Sequence, residues 1–167
     1  NAAKKYYEID KNANFNLIGD GNIRVKLEEM ISKSKIKNVF LYKRVSQEEM
    51  KHIYDQADIL ILSLQKNSII NKTIPGKLQT YMSVSKPILC FADGISKKIV
   101  SKANCGFVCD EDDVFKLIDV FKLFKNSSKQ KLDEFGKNSF NYYKLNFSDE
   151  TIYKKLNDLT WEWKKKF

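Results

Sequence analysis

The sequence predicts an α/β fold built on a doubly wound parallel sheet, and three observations predict it. Short continuous apolar runs, such as Ile59-Leu60-Ile61-Leu62 and Pro87-Ile88-Leu89-Cys90, read as strands buried on both faces. Segments of helical period separate these runs, so strands and helices alternate along the chain. Turn-forming residues mark the junctions at Gly19-Asp20-Gly21, Pro75-Gly76 and Ala92-Asp93-Gly94.

In chain order, Ala2 to Asp10 reads as a short helix and Asn12-Ala13-Asn14 as a turn. Phe15 to Ile18 is strand-like and runs into Gly19-Asp20-Gly21-Asn22. A helix over about Ile23 to Lys33 sets Ile23, Leu27, Met30 and Ile31 on one apolar side. Asn38 to Tyr42 supplies the next strand. Ser46-Gln47-Glu48-Glu49 matches a capping box, in which the serine oxygen and the glutamate satisfy free amides at a helix start. That helix turns Met50, Ile53 and Tyr54 inward and ends near Ala57-Asp58.

The stretch from Ile59 to Cys90 then gives strand, loop, helix and strand, the helix opening just after Pro75. Beyond Gly94 a further helix carries Ile95, Ile99 and Val100 as its apolar side, before a last strand over Cys105 to Cys109. Asp110-Glu111-Asp112-Asp113 crowds carboxylates at the start of the next helix, where the helix dipole favours negative charge without a metal. Ser127 to Tyr143 and Ser148 to Lys166 read as two closing helices.

At 167 residues and 43% hydrophobic content, the chain fits one folded domain over residues 1–167. It opens on a helix without an initial Met, so a piece truncated at its amino-terminal side is expected. No apolar run approaches the roughly 18 residues of a membrane span, and Asn1-Ala2-Ala3-Lys4-Lys5 lacks a signal-peptide core, which predicts a cytoplasmic protein. The net charge of +9 is compatible with nucleic acid, an anionic membrane surface or phosphorylated ligands. Lysines scattered along amphipathic helices explain most of it, and no aromatic and basic strand motif points to nucleic acid.

Reactive side chains are sparse. His52 is the only histidine and sits at a solvated helix position, so neither a Ser, His and Asp set nor a Cys and His pair can be assembled. Cys90, Cys105 and Cys109 lack paired metal spacing and read as buried reduced thiols. No metal site and no cofactor is expected. Chemistry driven by positioning a ligand fits a transferase better than a hydrolase.

Two turns merit attention. Gly19-Asp20-Gly21 begins like a dinucleotide fingerprint, but Arg24 stands where the third glycine belongs, so the two glycines are expected to make only a tight turn. At Thr73-Ile74-Pro75-Gly76-Lys77, Pro75 fixes the backbone, Gly76 lets the chain approach a ligand, and the first helical amides point outward. Such an end suits phosphate, with Lys77 adding a charge. An ordinary helix start with an exposed lysine is the equal alternative.

From Phe15 to Ser148 the chain resembles the carboxyl-terminal domain of the group 1, family-four retaining glycosyltransferases. The matching pieces are Leu17 to Gly21, Asn38-Val39 through Arg44-Val45, Ala57-Asp58-Ile59, Pro75-Gly76-Lys77-Leu78 with Lys86-Pro87, Asn104-Cys105-Gly106 and Phe135-Gly136-Lys137-Asn138. Their order and spacing together are specific. The resemblance implies a Rossmann-like domain, one half of a two-domain fold, that binds a nucleotide-diphosphate sugar and lacks its amino-terminal acceptor domain.

Carried over by position, Gly19, Asp20 and Gly21 line the donor cleft, Lys43, Arg44 and Val45 lie against the nucleobase, and Pro75, Gly76, Lys77 and Leu78 face the diphosphate and sugar. Thr80 and Lys72 replace two family glutamates, leaving Thr80 to bond the ribose, and Lys43 replaces a usual glycine. No catalytic residue is assigned. The expected role is donor binding in bacterial surface or capsular polysaccharide synthesis; a noncatalytic sugar-nucleotide- or protein-binding module of the same fold is the alternative. Trp161 to Phe167 is expected to dock on the domain body or its partner, with peripheral contact at the inner membrane face as the competing reading.

Overall fold

The computed structural model describes residues 1–64, 72–110 and 113–164, with side chains as far as Trp161. Glu111 and Asp112 of the acidic run, and most of the Trp161 to Phe167 segment, lie outside the described side chains. Five strands, β1 (Phe15–Ile18), β2 (Val39–Tyr42), β3 (Leu60–Ser63), β4 (Ile88–Phe91) and β5 (Gly106–Cys109), alternate with helices. These are α1 (Ala2–Tyr7), α2 (Arg24–Lys33), α3 (Gln47–Gln56), α4 (Gly76–Ser83), α5 (Gly94–Ala103), α6 (Val114–Asn126), α7 (Lys129–Asn146) and α8 (Asp149–Lys164). Every strand pair is parallel, as the apolar runs predict. The strands hydrogen-bond in two sets, β1 with β2 and β3-β4-β5.

The chain divides into two compact units, one of residues 1–56 and 112–126 and the other of residues 57–111 and 127–167. In the first, β1 and β2 pair in register from Phe15 opposite Val39 to Ile18 opposite Tyr42. Its core is aromatic: the rings of Phe15 and Tyr6 lie 5.0 and 5.1 Å from that of Phe121. The buried Tyr6 hydroxyl donates to the carbonyl of Phe121 at 3.3 Å. Leu117, Ile118, Val120 and Phe124 complete the inner face of α6.

Helix α1 is shorter than the predicted Ala2 to Asp10, because Asp10 leaves the helix and its carboxylate accepts the Asn12 amide at 3.1 Å. Asn38 stands outside β2; its buried side chain donates to Ala3 at 2.9 Å and ties α1 to the sheet. The capping box forms as read, with Ser46 Oγ accepting the Glu49 amide at 3.2 Å and the Glu49 carboxylate accepting the Ser46 amide at 2.9 Å. His52 is exposed on α3, while Met50, Ile53 and Tyr54 are half-buried.

Helix α2 departs from the amphipathic expectation. It has no buried residue; Leu27 and Ile31 are half-buried, but Ile23 is 61% exposed and Met30 is exposed too.

The second unit holds the larger core. Leu62, Leu78, Met82, Ile88, Cys90, Val100 and Cys105 are fully buried and mutually packed, joining β3 and β4 to the inner faces of α4 and α5. None of the three cysteines forms a disulfide, and all three are buried. Burial pushes Cys90 and Cys105 up to about 12, since a thiolate there would lose its hydration. Helix α5 stops at Asn104, which adopts the left-handed conformation. Gly106 then starts β5 at φ +156°, tight against the backbone of Ile88, where a Cβ has no room.

The carboxyl end reads as predicted in type and shifts slightly in bounds. Ser128 caps α7 by accepting the Lys131 amide at 3.2 Å, so the helix begins one residue beyond it. Phe135 is buried and meets Phe107 of β5 edge to face at 5.2 Å. Helix α8 leaves Ile152, Leu156 and Leu159 exposed along one side. No helix among the described residues is long and apolar enough to cross a membrane.

Candidate functional site

Both turns singled out in the sequence fall where a parallel sheet presents its carboxyl ends, the region in which such sheets bind ligands. In the first unit, Gly19 follows β1 at φ +144°, a backbone setting that favours glycine, and its amide donates to the carbonyl of Tyr42 at 3.1 Å. Asp20 reaches across to the loop after β2, where its carboxylate accepts the Arg44 amide at 3.0 Å. Lys43 and Arg44 are exposed and Val45 is half-buried. A Cβ on Gly21 would meet nothing within 4 Å, so this glycine leaves open space and answers no internal crowding. The structure therefore brings Gly19, Asp20, Gly21 and the loop Lys43 to Val45 together.

The residue that joins them is one the sequence reading passed over. Arg24, the first residue of α2, donates to the carbonyls of Gly19 at 2.9 Å and Tyr42 at 2.8 Å, and to Glu28 at 2.9 Å. It also stands 3.5 Å from Asp20 and from the Leu41 carbonyl. The spacing of Arg24 and Glu28, four apart on one helix face, was the available signal. Shallow hollows of about 400 and 190 Å³ flank α2 beside Arg24, and no residue of the Pro75 turn lines either.

In the second unit, Pro75 stands at φ −71° and ψ 139° in front of Gly76, the first residue of α4, and no side chain among the described residues caps this end. Gly76 has nothing within 4 Å of the position a Cβ would take, and Lys77 is exposed. Leu78 differs from its neighbours: its side chain is fully buried in the core, so only its main chain is available at the turn. The amide of Leu78 already bonds to the Pro75 carbonyl at 3.0 Å. Thr80 is exposed and its hydroxyl donates back to the Gly76 carbonyl at 3.1 Å, which leaves its lone pairs facing outward. Lys72 is exposed ahead of the turn.

The arrangement offers an anion two things: an uncapped helix start with its partial positive charge, and an exposed lysine at the second helical position. Lys97 pairs with Asp110 and lies 4.0 Å from Asp93, and the hydrogen bond to Asp110 holds its ammonium above the ordinary lysine value. At the next helix, Asp113 accepts the Lys116 amide at 2.9 Å and so caps α6, as expected for a carboxylate at a helix start.

No curated protein sequence matches the chain. Among solved structures it is similar to a TarM mutant of S. aureus in complex with Fondaparinux, alpha-GlcNAc-glycerol and UDP, at 18% identity and a TM-score of 0.77, over 95% of this chain and 31% of that one. It is also similar to the pneumococcal O-GlcNAc transferase GtfA in complex with UDP and GlcNAc, at 13% identity and a TM-score of 0.72, over 95% of this chain and 31% of that one. Sucrose-phosphate synthase from Thermosynechococcus elongatus shares the fold at 13% identity and a TM-score of 0.72, over 99% of this chain and 43% of that one. The chain thus spans less than half the length of these proteins. Its residues 1–142 match the sequence profile of the glycosyl transferases group 1, and the chain belongs to that family.

Proposed function

We propose that this chain is the donor-binding part of a retaining glycosyltransferase, one that takes its sugar from a nucleotide-diphosphate sugar for bacterial surface or capsular polysaccharide. The observation that carries the proposal is the start of α4, where Pro75 and Gly76 open an uncapped helix end onto free space beside Lys77. A diphosphate leaving group gathers charge as its bond to the sugar breaks. Amides fixed in advance at a helix start, with one cation beside them, stabilise that charge without a metal and without reorganising. By the family resemblance, the turn Gly19 to Gly21 and the loop Lys43 to Val45 are assigned the nucleobase end, and Thr80 a ribose hydroxyl. UDP in the TarM and GtfA complexes supports this choice of ligand class.

The acceptor is bound by a separate amino-terminal domain, so the present chain transfers no sugar alone; the protein works in the cytoplasm, with peripheral contact at the inner membrane face as the competing reading. Thermal unfolding with UDP, GDP and ADP tests the reading. A ligand present at a hundred times its dissociation constant adds about 2.7 kcal/mol, an easily measured rise in melting temperature. No rise with any of the three at millimolar concentration overturns it.

A second reading, a noncatalytic module that binds a sugar nucleotide or a partner protein, is favoured by Lys72 and Thr80 standing at the family's glutamate positions. Fusion to an amino-terminal acceptor domain from a relative, followed by a transfer assay, separates the two.

A further inference from the structure

We propose that Arg24 is a positioning residue of the donor site, holding the nucleobase-side loop in one conformation without touching the ligand; this rests on the donor reading above. The bonds form a closed ring. Arg24 grips the carbonyls of Gly19 and Tyr42, and the Gly19 amide donates to that same Tyr42 carbonyl at 3.1 Å. Asp20, held beside the same guanidinium at 3.5 Å, accepts the Arg44 amide at 3.0 Å through its other oxygen. Two loops that follow different strands are thereby fixed to one side chain. Glu28 fixes that side chain in turn through its Nε at 2.9 Å.

The chemistry requires arginine. Its planar fork presents several donors in fixed directions and so can serve two carbonyls and a carboxylate at once, whereas a lysine ammonium is a single point. The Arg24 side chain is three-quarters buried, and its Nε and Nη1 donors are engaged by these acceptors, which is why its role is to hold the loop. A third glycine at this position, as in a dinucleotide fingerprint, would leave the Gly19 and Tyr42 carbonyls without this clamp and Asp20 as the remaining hold on Arg44.

Arg24→Lys and Asp20→Asn, each made in the full chain, test the assignment. Amide hydrogen exchange by NMR reads the loop directly, and calorimetric titration with UDP reads the site. For Arg24→Lys the expected result is faster exchange at Gly19 and Arg44, unchanged exchange in β3, β4 and β5, and UDP affinity reduced about tenfold, the cost of ordering about one loop residue on binding. Asp20→Asn should speed exchange at Arg44 and spare Gly19.

Unchanged UDP affinity in Arg24→Lys overturns the positioning role. Weakened affinity with undisturbed exchange at Arg44 overturns it as well, since that pattern marks a direct contact. If Arg24→Lys does not fold, Asp20→Asn alone decides, and unchanged Arg44 exchange in it refutes the ring. Absence of UDP, GDP and ADP binding by the unaltered chain overturns the donor reading instead, while exchange at Arg44 still decides whether Arg24 holds the loop.

Discussion

Gly136 of α7 lies directly against the backbone carbonyl of Ser85, so close that a Cβ on Gly136 would overlap that oxygen. Phe135 beside it fills the core under Phe107, and Asn138 donates to the Asn104 carbonyl at 2.9 Å. The close approach thus seats α7 on the ends of both α4 and α5.

Gly136→Ala sets two effects against each other. Alanine is the better helix former by about 1 kcal/mol, while overpacking against a backbone atom that cannot rotate away costs about 1–3 kcal/mol. The steric effect wins because the colliding atom is main chain. Chemical denaturation should show net destabilisation; a stabilised variant would mean that the contact is not made.

The capping box predicts a pH dependence. The Ser46 amide, and then its hydroxyl, hold the Glu49 carboxyl below the ordinary value. A carboxyl depressed in the folded state stabilises above its unfolded value of about 4.3 and loses that contribution as pH falls through the lower folded value. The stability difference between the unaltered chain and Glu49→Gln should therefore be largest near neutral pH and shrink on acidification, as followed by urea unfolding across pH 3 to 7 at about constant ionic strength. A difference that grows toward acid would refute the bond.

Much of this architecture is legible because its signals are local. Pro87 to Cys90 declares a strand buried on both faces, Ile59 to Leu62 declares a strand but leaves Ile61 exposed on one face, and Ser46 with Glu49 declares a helix start by spacing alone. Helix α2 shows the limit: periodicity places Ile23 and Met30 on the apolar side but does not determine what covers that side, and both are exposed. The clamp at Arg24 was illegible for a different reason. Its acceptors include the carbonyl of Tyr42, 18 positions away, and main-chain carbonyls carry no sequence signature. Which part of Leu78 faces the turn was illegible too, because a helix start exposes its main chain while turning every third or fourth side chain inward.

The thiols should be inert in the folded protein. Cys90 and Cys105 are fully buried with burial pushing both up to about 12, so almost no thiolate is present on either at neutral pH, and burial shields Cys109 from reagent. Of the three cysteines, none should react rapidly with Ellman's reagent in buffer and all three should react in guanidinium chloride. Rapid reaction of even one native thiol would mean that the core opens far more often than its packing implies.

Thr80→Glu tests the ribose contact. Thr80 offers a neutral oxygen that already donates its proton to Gly76 at 3.1 Å, so toward a ribose it acts only as an acceptor. A carboxylate at this exposed position accepts two hydroxyl protons at once, and bonds to charged groups exceed neutral ones by about 1 kcal/mol. Repulsion from the ligand's diphosphate opposes this gain, but the nearby helix start offsets negative charge. Affinity for UDP should rise about fivefold, a gain of about 1 kcal/mol, and affinity for 2′-deoxy-UDP should rise less, because one of the two hydroxyls is gone. An equal rise for both nucleotides would assign the gain to general electrostatics, and a fall for both would remove Thr80 from the ribose.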